Sequence, residues 1–182
     1  MLAAPARAGG QQSVPPSKAE KSKTSVEACA LLKASEIHAV QGDRVTDKKP
    51  SQRRSGSFVV AQCFYKTAHF SNSVSLAVAT PDLSRPGRTG VREYWTERFH
   101  RDAEKTERSN EDPEKDEKES GAPRAIPGVG EEAFWVGNAI NGALYVLRGG
   151  SFLRISVGGP SDESTKIKKT VTLAQHALTK LE

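Results

Sequence analysis

At 182 residues the chain is sized for a single domain with tails. Its hydrophobic content of 36% is low for a compact globule and unevenly spread, so part of the chain lacks the apolar surface needed to fold. The formal charge of +5 comes from scattered basic residues; no basic stripe coincides with stacking aromatics, which argues against nucleic-acid binding, and no apolar run reaches the ~18 residues of a membrane span.

Residues 1–24 carry Gly, Gln, Pro, Ser and Lys with almost no bulky apolar side chains. Such a segment cannot offset its ordering entropy and reads as a disordered leader. Leu2–Gly10 suits the stretch that follows a removed export signal, and the closing Leu181-Glu182 is the pair a cloning site leaves before a tag.

A single domain is expected over residues 25–181. Ser25 is placed to cap a short helix containing Val26, Cys29, Leu31 and Leu32. A second helical turn follows, capped by Ser35, with Ile37 and Val40 inward and Gly42 as its stop. Residues 43–57 are polar and basic and read as a loop, with at most a short edge strand at Arg44-Val45-Thr46. Ser57–Lys66 is a strand: Val59, Ala61, Cys63 and Tyr65 share one face, and Phe58, Val60, Gln62 and Phe64 the other. Ser73–Ala79 alternates cleanly, with Val74, Leu76 and Val78 inward and Ser73, Ser75, Ala77 and Ala79 opposite. The short Thr67–Asn72 link makes these two strands an antiparallel pair.

After a Pro/Gly-rich break at 81–90, Val91, Tyr94, Trp95 and Phe99 recur at helical spacing, giving a helix from about Val91 to Ala103. Residues 101–120 hold nine acids and five bases; the flexible charged insert is drawn at about 104–121. Ala122–Gly130 brings the chain back to a strand at Glu132–Val136. Leu144–Arg148 and Phe152–Val157 form a hairpin about Gly149-Gly150. That turn pairs Val146 with Leu153 and Leu144 with Ile155 on one face, Leu147 with Phe152 and Tyr145 with Arg154 on the other. A last helix begins near Ser164, with Ile167, Val171, Ala174 and Leu178 as its inner stripe and Lys166, Lys168 and Lys169 outward. Runs of short strands without βαβ alternation specify an α+β fold: an antiparallel sheet of about five or six strands packed against two or three helices.

The candidate chemistry is sparse. His38, His69, His100 and His176 are far apart and none lies in a metal-binding or nucleophile motif. Gly128-Val129-Gly130 precedes a strand and reads as a turn, not a phosphate cradle. The acids at 111–119 lack the spaced ligands of a calcium loop. No catalytic residue, cofactor or metal site is therefore expected. Cys29 and Cys63 stand as a disulfide, two buried thiols or a metal or redox pair, with no CxxC and no His or Asp at ligand spacing to favour the last. Phe134 and Trp135 are neighbours on a strand and face opposite ways. One is core, and the other lies under a helix or lines a groove, so the pair is the candidate binding surface.

Several phrases together resemble a family of uncharacterised exported bacterial lipoproteins and periplasmic proteins, a domain of unknown function. They are Cys29-Ala30-Leu31-Leu32 with Glu36-Ile37 and Gly42, then Cys63-Phe64-Tyr65, then Ile126-Pro127-Gly128-Val129-Gly130-Glu131-Glu132-Ala133-Phe134-Trp135, then the strands around Gly149-Gly150. The resemblance spans about residues 25–180 apart from the acidic insert. It implies a Cys29–Cys63 disulfide and an extracytoplasmic home, periplasmic or secreted, and no catalytic residues. The chain lacks the cysteine near its start that lipoprotein members carry. A PsbP-like α+β sandwich is also compatible, by analogy of fold.

The expected function is a non-enzymatic ligand- or protein-binding module of the cell envelope, a monomer whose partner is an envelope protein or a small ligand. The alternatives are a hydrolase-type enzyme with a dispersed His/Asp/Ser site and a structural envelope protein. A Cys29–Cys63 staple would close the Cys63 face of its strand and direct the search for a ligand to the face of Phe58, Val60 and Phe64.

Overall fold

A computed structural model of the chain describes residues 26–84, 90–100 and 122–181. The leader at 1–24, the Ser25 cap, the insert at 104–121 and the helix beyond His100 lie outside the described residues.

The architecture is α+β, as the pattern of short strands specifies. Seven antiparallel strands form one sheet in the order β1-β2-β3-β7-β6-β5-β4. They are β1 (Val45–Ser55), β2 (Phe58–Thr67), β3 (Val74–Pro81), β4 (Arg124–Ala125), β5 (Glu132–Val136), β6 (Ala143–Arg148) and β7 (Ser151–Val157). Two meanders, β1–β3 and β4–β7, meet at the β3–β7 ladder, where Leu76 lies opposite Ile155 and Ala77 opposite Arg154. The β6–β7 hairpin has the register its pattern demands: Leu144 pairs with Ile155, Tyr145 with Arg154, Val146 with Leu153 and Leu147 with Phe152. A slip of one residue would turn Val146 and Leu153, both fully buried, out to the other face.

One face of the sheet is closed. Beneath it lie a 3-10 turn (Ala28–Ala30), helix α1 (Ala34–Gln41) and helix α3 (Glu163–Leu178). Leu32, Ile37, Leu173 and Ala174 from these segments pack on Cys63, Tyr65, Leu76, Val146 and Ile155 from the strands. Cys29 and Cys63 are joined as a disulfide with their Cα atoms 5.0 Å apart. Beside it the Tyr65 hydroxyl donates to the Ala28 carbonyl at 2.9 Å, so the turn is fastened to β2 twice. Burial pushes the Tyr65 phenol up to about 12 and keeps it a neutral donor. Lys48 on β1 caps the same segment, its Nζ within 3.4 Å of the Cys29 carbonyl and 3.3 Å of the Leu32 carbonyl.

Helix α2 (Val91–Phe99) lies on the opposite face. Val91, Trp95 and Phe99 form its buried stripe and pack on Phe58, Ala79 and Leu147.

Four local readings are corrected. The Cys29 segment is a 3-10 turn rather than a helix, and α1 begins after Lys33, whose backbone N–H donates to Glu36 Oε2 at 2.7 Å; Ser35 lies inside the helix. Gly42 ends that helix as expected, at φ 72° with its N–H on His38 O. The loop at 43–57 contains the eleven-residue strand β1. It carries no alternation because it is an outer strand exposed on both faces, held by main-chain pairing to β2. With β1 and the two-residue β4, the sheet exceeds the five or six strands expected. Helix α3 is rotated from the expected stripe: Lys166, Thr170, Leu173, Ala174 and Ala177 are buried, while Ile167, Val171 and Leu178 flank the contact. Lys166 tolerates this because its long stem lies along apolar surface while Nζ donates to the Ala139 carbonyl at 2.5 Å.

Candidate functional site

The face of β2 away from the disulfide forms the floor of a groove of about 680 Å³. Strand register explains its shape. One row across the sheet runs Arg53, Val60, Ala79, Phe152, Leu147. The next runs Ser51, Gln62, Ala77, Arg154, Tyr145, Phe134. In both rows strand β3 contributes an alanine between longer side chains on β2 and β7. The missing volume at Ala77 and Ala79 is the trough.

Helix α2 raises a wall at one end. Tyr94 stacks on Phe152, with ring centroids 5.4 Å apart and an 11° angle between planes, and meets Phe58 edge-on at 5.3 Å. Phe58 and Phe152 touch edge-on at 5.9 Å, so the three rings brace one another. The groove therefore has an apolar floor and an aromatic wall, and among the described residues its charged lining is Arg53 from β1, Arg154 from β7 and Glu97 from α2. Arg154 Nε donates to the Tyr145 hydroxyl oxygen at 3.1 Å, and the guanidinium lies 5.8 Å from the Tyr145 ring centre.

The Pro127–Glu132 phrase fastens α2 in place. Gly130 turns at φ 65°, and a Cβ there would collide with Val146 Cγ1 and the Leu147 carbonyl oxygen. The close approach leaves Glu131 positioned to accept the Gly149 N–H at 2.5 Å and Arg92 Nη2 at 2.6 Å. The Gly149 N–H first, then Arg92, hold the Glu131 carboxyl below its ordinary range. Glu132 accepts the Trp95 indole N–H at 2.9 Å and lies 2.8 Å from His100 Nε2. These contacts, the indole foremost, lower its pKa as well. A shallower recess of about 520 Å³ under the end of α2 is lined by this phrase and His100.

The two aromatic residues singled out on β5 separate as their alternation requires. Trp135 is 2% exposed within the closed-face core and offers no surface. Its indole also occupies the space a side chain at position 142 would need, which is why Gly142 stands there. Phe134 lies under α2, stacked on Phe99 at 4.8 Å with planes 3° apart, and lines the recess beside His100. The groove residues Arg53, Ala77, Tyr94, Tyr145, Phe152 and Arg154 were not singled out in the sequence. The available signals were the Ser/Ala/Ala face of β3 and the Tyr145–Arg154 pair on the outer face of the hairpin.

The histidines go to separate places. His69 Nδ1 lies 3.0 Å from Asp43, which also accepts the His69 N–H at 2.8 Å. His100 is at Glu132, and His176 lies 3.9 Å from Glu36, which also binds Lys180 at 3.1 Å. His38 is exposed on α1. Among the described residues no group of three or more His, Cys, Asp or Glu could hold a metal ion, and no helix is long and apolar enough to cross a membrane. Compared with known proteins, the chain matches no family model, no curated protein and no solved structure.

Proposed function

We propose that the chain is an exported, non-enzymatic module of the cell envelope that binds a small ligand in the groove opposite the disulfide. The observation that carries this reading is the groove itself: about 680 Å³, aromatic on one wall and apolar on its floor, with a few polar groups converging on it. That size and lining are those of small-molecule sites. A purely structural envelope protein has no use for such a concavity on an otherwise layered fold. A cleft holding two or more histidines beside a carboxylate would favour a dispersed hydrolase site, whereas His69, His100 and His176 each lie beside a different carboxylate. The extracytoplasmic location is supported by the Cys29–Cys63 bond, which persists in oxidising compartments. It also fits the resemblance to exported bacterial proteins.

The test is retention. Wild type and Ala77→Trp, which fills the trough, are incubated with envelope extract, repurified natively and denatured, and the released molecules are identified by mass spectrometry. A compound released from wild type and absent from a folded Ala77→Trp is expected. Recovery of no compound from either protein, or the same compound equally from both, overturns the reading.

A further inference from the structure

Resting on that reading, we infer that the groove selects a small monoanion: a flat or chain-like apolar body carrying one carboxylate. Three observations converge on it. Among the described residues the lining charges are two arginines and one glutamate, which together bring one unit of positive charge in excess. Glu97 is already engaged in an interaction of its own. Arg154, by contrast, is half-buried in mid-sheet and makes no ion pair among the described residues. A half-buried guanidinium without a counter-charge carries a desolvation penalty that an incoming anion relieves.

The geometry around Arg154 specifies the head group. Among the described residues only Nε is used, in the bond to Tyr145 Oη at 3.1 Å. The two terminal nitrogens remain as a planar fork, which matches a carboxylate's two oxygens. The Tyr145 oxygen accepts from Arg154, so its own O–H is left to donate to the same anion. The body of the ligand then lies on Ala77 and Ala79, with its far end against Tyr94 and Phe152. One arginine fork in mid-sheet, with Arg53 exposed at the rim, suits a single charge rather than a phosphate dianion.

Calorimetry with three probes of one shape tests this: 2-naphthoate, 2-naphthamide and 2-naphthylmethylammonium, each against wild type, Arg154→Gln, Tyr145→Phe and Ala77→Trp. Wild type is expected to prefer the naphthoate over the amide by about tenfold or more, the scale of a charged hydrogen bond, and to reject the ammonium. Arg154→Gln should erase the preference while leaving the amide unchanged. Tyr145→Phe, which keeps the ring, should reduce it severalfold. Equal binding of all three probes, lost in Ala77→Trp, overturns the charge selection and leaves the groove as a site. Naphthoate binding that survives in Ala77→Trp overturns both readings. Failure of wild type to bind any probe overturns the inference, and the retention experiment then judges the groove independently.

Discussion

Removing the Cys29–Cys63 bond should cost the fold a large part of its stability without displacing a core side chain. The two residues are 34 apart in sequence. For a loop of that length the chain-entropy relation gives about 4 kcal/mol at 25 °C, exerted on the unfolded chain. Cys63 is fully buried and the Cys29 segment is also fastened by Tyr65 and Lys48, so the native geometry has independent reasons to persist. Reduction with dithiothreitol, which keeps both sulfur atoms in place, should therefore lower Tm by roughly 8–16 °C for a domain of this size. The urea m-value should rise as well, because the released chain exposes more surface on unfolding. Thermal and urea denaturation of oxidised and reduced protein, each followed by circular dichroism, measure the two in turn. A Cys29→Ala/Cys63→Ala double variant should lose slightly more, since it also vacates buried volume. The reasoning is refuted if unreduced protein titrates two free thiols, or if reduction changes stability by less than about 1 kcal/mol, well under the chain-entropy value.

Two further outcomes follow from the local chemistry. Asp162 caps α3 by accepting the Thr165 N–H at 2.8 Å, and this bond, with the Thr165 hydroxyl, lowers its pKa to about 2. Because the folded value lies below the unfolded one of 3.8, its contribution is present above pH 3.8 and is lost as pH falls through about 2. Asp162→Asn should flatten that part of the pH–stability curve, whereas an unchanged acid limb would show that the cap carries no such linkage. Gly130→Ala places a methyl group against Val146 and the Leu147 carbonyl at positive φ. It should destabilise the fold by more than about 1 kcal/mol and raise hydrogen exchange in α2, whose fastening at Glu131 and Glu132 it disturbs; a neutral effect on both would refute the close-approach argument.

Legibility in the sequence followed burial. The β6–β7 hairpin could be read to the residue, because alternating large apolar side chains flank a Gly-Gly turn and only one register satisfies both faces. β1 could not, because all its residues from Thr46 on are exposed and main-chain pairing to β2, which leaves no pattern in side chains, holds it. The rotation of α3 was hidden by Lys166, whose stem covers core surface although its charge marks it as solvent-facing. The groove was half legible: the small outward face of β3 and the apolar outward face of β2 are both written in the alternation. What could not be read was the placement of α2, which covers the β5–β6 side and leaves Ala77 and Arg154 open. That placement depends on Glu131 and Glu132 reaching a helix that lies far from them in the chain.

The outer strand β1 has a consequence for how molecules of this protein meet one another. An eleven-residue strand at the margin of a sheet is a template on which a second chain can continue the ladder. Here that template is charged and interrupted. Lys48, Lys49 and Arg53 bring like charges that two such margins would have to press together, Pro50 has no N–H to offer an incoming strand, and a bulge between Val45 and Asp47 breaks the register. The far margin is β4, only two residues long. The sheet thus ends in repulsion on one side and in brevity on the other, and resists growing into a fibre.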